Sequence, residues 1–253
     1  MSFPILPGAE PWSHTGDNTH GAVVLHGFTG NPSAMRGVAT TLADNGFHIE
    51  MPLLPGHGTV VDDLVPARWD DWAGEAEAAY QRLRQRASDV VVVGLSMGGA
   101  LTLRLGADHP DIAGLVCINP VTQPQQPEII EMLRGMLDGG TPVLPGIGSD
   151  IADPEAKENA YDGTPLAALL SLLLDGVEPL SHEYAAMRLP LLLMNSPQDH
   201  VVEPAQAEFL AANYGGPIER ITLERSYHVA TRDYDKELIE KATTEFAARV
   251  TAR

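Results

Sequence analysis

The chain predicts an α/β fold: a mainly parallel central sheet flanked by helices, with a mostly helical insertion. Three observations carry this. Short apolar, β-branched runs alternate with longer amphipathic stretches along most of the 253 residues, as in parallel strands covered on both faces by crossover helices. The rhythm breaks once, between about Val121 and Arg188, where no convincing strand occurs. The apolar run Asp89-Val90-Val91-Val92-Val93 passes directly into Gly94-Leu95-Ser96-Met97-Gly98-Gly99 and then a helical stretch.

In chain order, Ala22 to His26 reads as the first strong strand. Pro32 to Asn45 follows as a helix, with Asn31 as its N-cap and Gly46 just past its end. Phe47 to Met51 is the next strand. Trp69 to Ala87 is a long helix whose Trp72, Ala76, Ala79, Tyr80 and Leu83 share one stripe. Val90 to Val93 and Gly114 to Asn119 are strands, as are Leu191 to Asn195 and Ile218 to Glu224. Pro204 to Asn213 and Tyr234 to Val250 are helices. The interrupted region holds a helix over Pro127 to Leu137, a Gly/Pro-rich loop through Ser149, and the leucine-rich run Leu166 to Leu174. The chain thus divides into a core of residues 1–120 and 189–253 and a cap of residues 121–188. The cap leaves the sheet directly after Asn119-Pro120, one strand beyond Ser96. Ligands of open parallel sheets bind at that C-terminal edge.

A serine between glycines at a strand-to-helix join is a nucleophile-elbow pattern. The turn is so tight that side chains at positions 94 and 98 would collide with neighbouring chain. The hydroxyl is pushed clear of the sheet, and the following helix aims its positive end at the reacting oxygen. A serine hydroxyl is a weak nucleophile at neutral pH, so it needs a base, and the base needs an orienting acid. His228, directly after the Ile218–Glu224 strand, is the expected general base and acid. Asp199, after the Leu191–Asn195 strand, is the expected orienting carboxylate, with Glu203 as the alternative. His200 is assigned to the surface or the core, His182 precedes the strand, and His26 and His57 are read as structural. A tetrahedral intermediate needs two aligned donors. These are expected to be the backbone N–H of Met97 and that of Phe28, in His26-Gly27-Phe28-Thr29-Gly30.

Together these segments resemble the α/β-hydrolase fold, specifically the bacterial monoacylglycerol lipase and small carboxylesterase group. The resemblance is carried by His26-Gly27-Phe28-Thr29-Gly30, Pro55-Gly56-His57-Gly58, the Ser96 elbow, Asp199-His200-Val201-Val202 and Ser226-Tyr227-His228-Val229-Ala230-Thr231. It extends to Ile147-Gly148-Ser149-Asp150 and Ala160-Tyr161. It implies hydrolysis of one acyl chain from glycerol through an acyl-serine intermediate, without a cofactor. It also implies that Ile147 touches the acyl chain and that Glu158 reaches the glycerol hydroxyls. The alternatives are a broad carboxylesterase or thioesterase, and a ligand-binding protein that keeps the fold without turnover.

Composition sets the remaining bounds. With 44% hydrophobic residues the chain suits one large domain. A formal charge of −18 disfavours nucleic acid as a partner. The expected partner is a small acyl ester, with transient contact between the cap and lipid surfaces, in a monomer or homodimer. The single Cys117 permits no internal disulfide and is read as a small hydrophobe. No His or Cys pair has metal-ligand spacing. The N-terminus lacks signal-peptide features, and Leu166 to Leu174 is too short to cross a bilayer, so a cytoplasmic location is expected. Met35, Met132, Met136, Met187 and Met194 are read mostly as core filling.

Overall fold

The computed structural model of the protein describes residues 3–146 and 148–252. Strand β1 (Trp12–His14) is followed by β2 (His20–Leu25), a 3-10 turn (Pro32–Met35) and helix α1 (Arg36–Asp44). Next come β3 (His48–Met51), α2 (Val61–Leu64), α3 (Trp69–Arg84), β4 (Asp89–Leu95) and α4 (Met97–Asp108). After β5 (Gly114–Ile118) lie α5 (Pro127–Asp138), β6 (Val143–Pro145), β7 (Gly163–Pro165), α6 (Leu166–Ser171) and α7 (Glu178–Ser181), the last two joined by a π-helical segment (Leu172–Val177). The chain closes with β8 (Leu191–Asn195), α8 (Ala205–Asn213), β9 (Ile218–Thr222) and α9 (Lys236–Thr251).

Seven strands form one sheet in the order β1-β3-β2-β4-β5-β8-β9. Only β1 runs antiparallel, against β3; the remaining pairs are parallel. Period-two alternation distributes the side chains of β4. Val90 and Val92 join the core under α3 and α4, while Val91 and Val93 join the core under α1 and α9. Both faces are apolar, so the central strands read as continuous aliphatic runs rather than as alternating ones. Trp72, Ala76, Ala79, Tyr80 and Leu83 are all buried, as the stripe on α3 requires.

Three expectations change. The strand β1 was not expected: it is short and only half-buried, and it forms an edge of the sheet. The region 121–188 does contain strands, the antiparallel pair β6 and β7. Each has three residues and ends on a proline, below the length at which periodicity is visible. The helix expected from Pro32 starts as a 3-10 turn. Its Asn31 cap is as expected, with the side-chain oxygen accepting from the Ser33 N–H at 3.0 Å. Met35, Met187 and Met194 are core residues, whereas Met132 and Met136 are exposed on α5.

Candidate active site

The turn between β4 and α4 puts Ser96 at φ 58° and ψ −117°. Such a backbone disfavours an L side chain and persists only where its surroundings impose it. Here the surroundings are glycine. A Cβ on Gly94 would lie 2.0 Å from the Gly98 carbonyl oxygen, and one on Gly98 would lie 2.3 Å from the Leu25 carbonyl oxygen. The Ser96 N–H donates to the Ile118 oxygen at 3.0 Å, and its own carbonyl receives the Gly99 N–H at 2.9 Å. Met97 opens α4, so its N–H has no intrahelical acceptor.

The loop after β2 crosses Ser96 closely: a Cβ on Gly27 would stand 3.3 Å from the serine Cβ. His26 lies beneath it, fully buried. Its Nδ1–H donates to the Gly27 oxygen at 2.9 Å and its Nε2 accepts the Leu54 N–H at 3.1 Å. These contacts select the neutral ring, and burial pushes its pKa down to about 3. His57 is also buried and is lowered to about 4, while its Nδ1–H donates to the Pro55 oxygen. Both act as structural groups, consistent with the reading of the sequence. The Phe28 ring leans edge-on against His57 and Trp72, with centroids 6.1 and 5.6 Å away.

His228 lies beyond the end of β9. Its Nδ1–H donates to Asp199 Oδ2 at 2.7 Å. Asp199 follows β8, and its second oxygen accepts the Val201 and Val202 N–H groups at 2.8 Å each. The carboxylate is therefore locked from its own loop while it orients the imidazole. The alternative, Glu203, is exposed and absent from the cavity wall. Asn119, at φ 42°, is a site residue that no sequence pattern reveals. Its amide donates to the His228 carbonyl at 2.8 Å and to Ser196 Oγ at 3.1 Å, and its oxygen accepts the Ser196 N–H at 2.7 Å. One buried side chain thus ties the ends of β5 and β8 to the histidine loop.

Ser96, Phe28 and His228 line one cavity of about 350 Å³. One part of the wall is aliphatic, with Val121, Ile129, Leu133, Leu169, Leu172 and Leu173. Another is polar, with Thr29, Asp150, Glu158 and Tyr161. Desolvation raises the Glu158 carboxyl above its ordinary value, opposed by His228 and Arg232. Its Oε1 would be 2.8 Å from a Cβ on Gly30, so the carboxyl lies directly against that glycine. Ile147 lies outside the described residues. A lining of many aliphatic and a few polar side chains suits an acyl chain with a hydroxylated head group.

The parallel sheet, the strained serine at the β4 end and the Asp199–His228 contact together define an α/β-hydrolase. The chain belongs to the family described as serine aminopeptidase, S33, whose profile matches residues 17–235. A thermostable monoacylglycerol lipase from Bacillus sp. strain H-257 is 38% identical over 250 residues, covering 98% of this chain and 97% of that one. A carboxylesterase from Bacillus subtilis strain 168 is 25% identical over 231 residues, covering 90% and 92%. A solved structure from work on LipS and LipT, two metagenome-derived lipolytic enzymes, superposes with a TM-score of 0.91 at 37% identity, covering 97% of this chain and 100% of that one.

Proposed function

We propose that this protein is a carboxylic ester hydrolase that cleaves monoacylglycerols to glycerol and free fatty acid. The observation carrying it is the Asp199–His228 hydrogen bond beside a cavity that His228 shares with the strained Ser96. Its end-to-end similarity to a named monoacylglycerol lipase supports the choice of substrate.

Ser96 Oγ attacks the ester carbonyl while its proton passes to His228 Nε2. Asp199 keeps Nδ1 protonated and stabilises the imidazolium. The Phe28 and Met97 N–H groups receive the oxyanion. Collapse breaks the bond to the glycerol oxygen, which takes the proton from His228. Water then repeats the sequence on the acyl-serine, giving the fatty acid and free serine. Residues 121–188 act as a cap whose leucines hold the acyl chain, and Glu158 holds the glycerol hydroxyls. Among the described residues no helix is long and apolar enough to cross a membrane.

The second reading is a carboxylesterase without glycerol preference, favoured by the similarity to the Bacillus subtilis protein. Hydrolysis of a monoacylglycerol and of the ethyl ester of the same acid separates the two. A higher kcat/KM for the glycerol ester, lost in Glu158→Gln through a raised KM, is expected; equal values in the wild type would leave a plain esterase. Because the family description names a peptidase, an anilide of the same acyl group belongs in the comparison, and it is expected to be the poorer substrate.

A further inference from the structure

The geometry points to Asp150 as a positioning residue that couples the region 121–188 to the two loops carrying Asp199 and His228. This rests on the proposed roles of those two side chains. Asp150 Oδ2 accepts the His228 N–H and the His200 N–H, each at 3.1 Å. Its Oδ1 pairs with His200 Nδ1 at 2.8 Å, and its backbone carbonyl accepts the Val229 N–H at 3.0 Å. His200 is the residue after Asp199, and Val229 the residue after His228. A single carboxylate therefore bridges the orienting acid's loop and the base's loop, where neither has strand partners.

The anchorage is reciprocal. Asp233, fully buried, accepts the Ala152 N–H at 2.7 Å and the Asp153 N–H at 3.0 Å. The same carboxylate accepts the Tyr227 N–H at 2.9 Å and the Tyr234 N–H at 2.8 Å. Asp150 is thus held in place by the loop that it holds. His228 is fixed at three points: its N–H by Asp150, its carbonyl by Asn119 and its ring by Asp199. Hydrogen bonds to a charged acceptor are the strong ones. Removing Asp150 leaves the other two points and lets the backbone end of the histidine drift. A drift of about 1 Å at a reacting group lowers turnover by about a hundredfold.

The test compares wild type, Asp150→Ala, Asp150→Asn and His200→Ala. The readouts are kcat and KM for one ester, the rate at which a small fluorophosphonate modifies Ser96, and the thermal midpoint. In Asp150→Ala, kcat and the modification rate are expected to fall together, about ten- to a hundredfold, with KM little changed. Asp150→Asn keeps an oxygen that accepts both N–H groups and is expected to restore most of both rates. His200→Ala keeps its backbone N–H and is expected to stay near wild type. Wild-type rates in Asp150→Ala, a loss confined to KM, or an Asn variant as slow as the Ala variant would overturn the inference. If Asp150→Ala does not fold, Asp150→Ser serves: its short oxygen reaches at most one of the two donors, and undiminished rates there would be equally fatal. A wild-type protein that neither turns over esters nor reacts with the probe overturns the hydrolase reading itself, and is seen before any variant is made.

Discussion

Ser96 stores strain at the point where chemistry is proposed, and its replacement separates strain from reactivity. Ser96→Ala keeps the unfavourable backbone and loses the nucleophile, so ester turnover is expected to fall by about 10⁴-fold or more. Ser96→Gly loses the nucleophile too but relaxes a φ of 58° and ψ of −117°, a conformation that costs a non-glycine residue about 1–3 kcal/mol. Urea unfolding should therefore find Ser96→Gly more stable than Ser96→Ala; a glycine variant less stable by about 0.4–1 kcal/mol, the cost of glycine's unfolded-chain entropy, would mean that the elbow is not strained. At this scale the sequence is partly legible. The serine, Asp199 and His228 could be named because a nucleophile elbow and two strand ends leave local patterns. Asn119, Asp150 and Asp233 could not be assigned roles. Their work is done through hydrogen bonds to residues that fall far away in the chain, with no spacing to betray them.

Among the elements, α3 links packing to the site most directly. Trp72 is fully buried, donates its indole N–H to the Pro55 oxygen at 3.0 Å and supports the Phe28 ring. Trp72→Ala is expected to destabilise the fold by about 3–5 kcal/mol and to lower kcat as well, because the Phe28 loop loses its backing. A stability loss with unchanged kcat would show that His26 and His57 hold the loop without it. The elements that could be read from the sequence are those long enough to show a period: the aliphatic strands and the stripe on α3. Strands β1, β6 and β7 have three residues each. They exist because longer neighbours offer an edge or because each pairs with the other, and neither condition is written locally. The π-helical segment from Leu172 to Val177 likewise leaves no local signal beyond a leucine-rich run.

For the whole molecule, burial of neutral imidazoles makes stability depend on pH. His26 and His57 fall from the usual 6.5 to about 3 and about 4 on folding. Below pH 6.5 the unfolded chain takes up protons that the folded protein refuses, so their stabilisation is complete above 6.5 and declines as the pH falls toward 4. Each contributes a slope of at most about 1.4 kcal/mol per pH unit. Denaturant midpoints measured from pH 7 to pH 4 should drop more steeply for wild type than for a variant with both histidines changed to Asn. Parallel curves would assign the acid sensitivity to carboxylates instead. The chain also carries a formal charge of −18, so added salt should moderate acidic self-repulsion near neutral pH. Ester hydrolysis as proposed requires Ser96 to be the reactive oxygen, made so by His228 and Asp199. Mass-spectrometric mapping of folded protein after fluorophosphonate treatment tests this most directly. One adduct on the Ser96 peptide, absent in Ser96→Ala and strongly slowed in His228→Gln, is the outcome the account requires. Protein that hydrolyses esters yet carries its adduct on another residue, or reacts at Ser96 equally fast without His228, would contradict it.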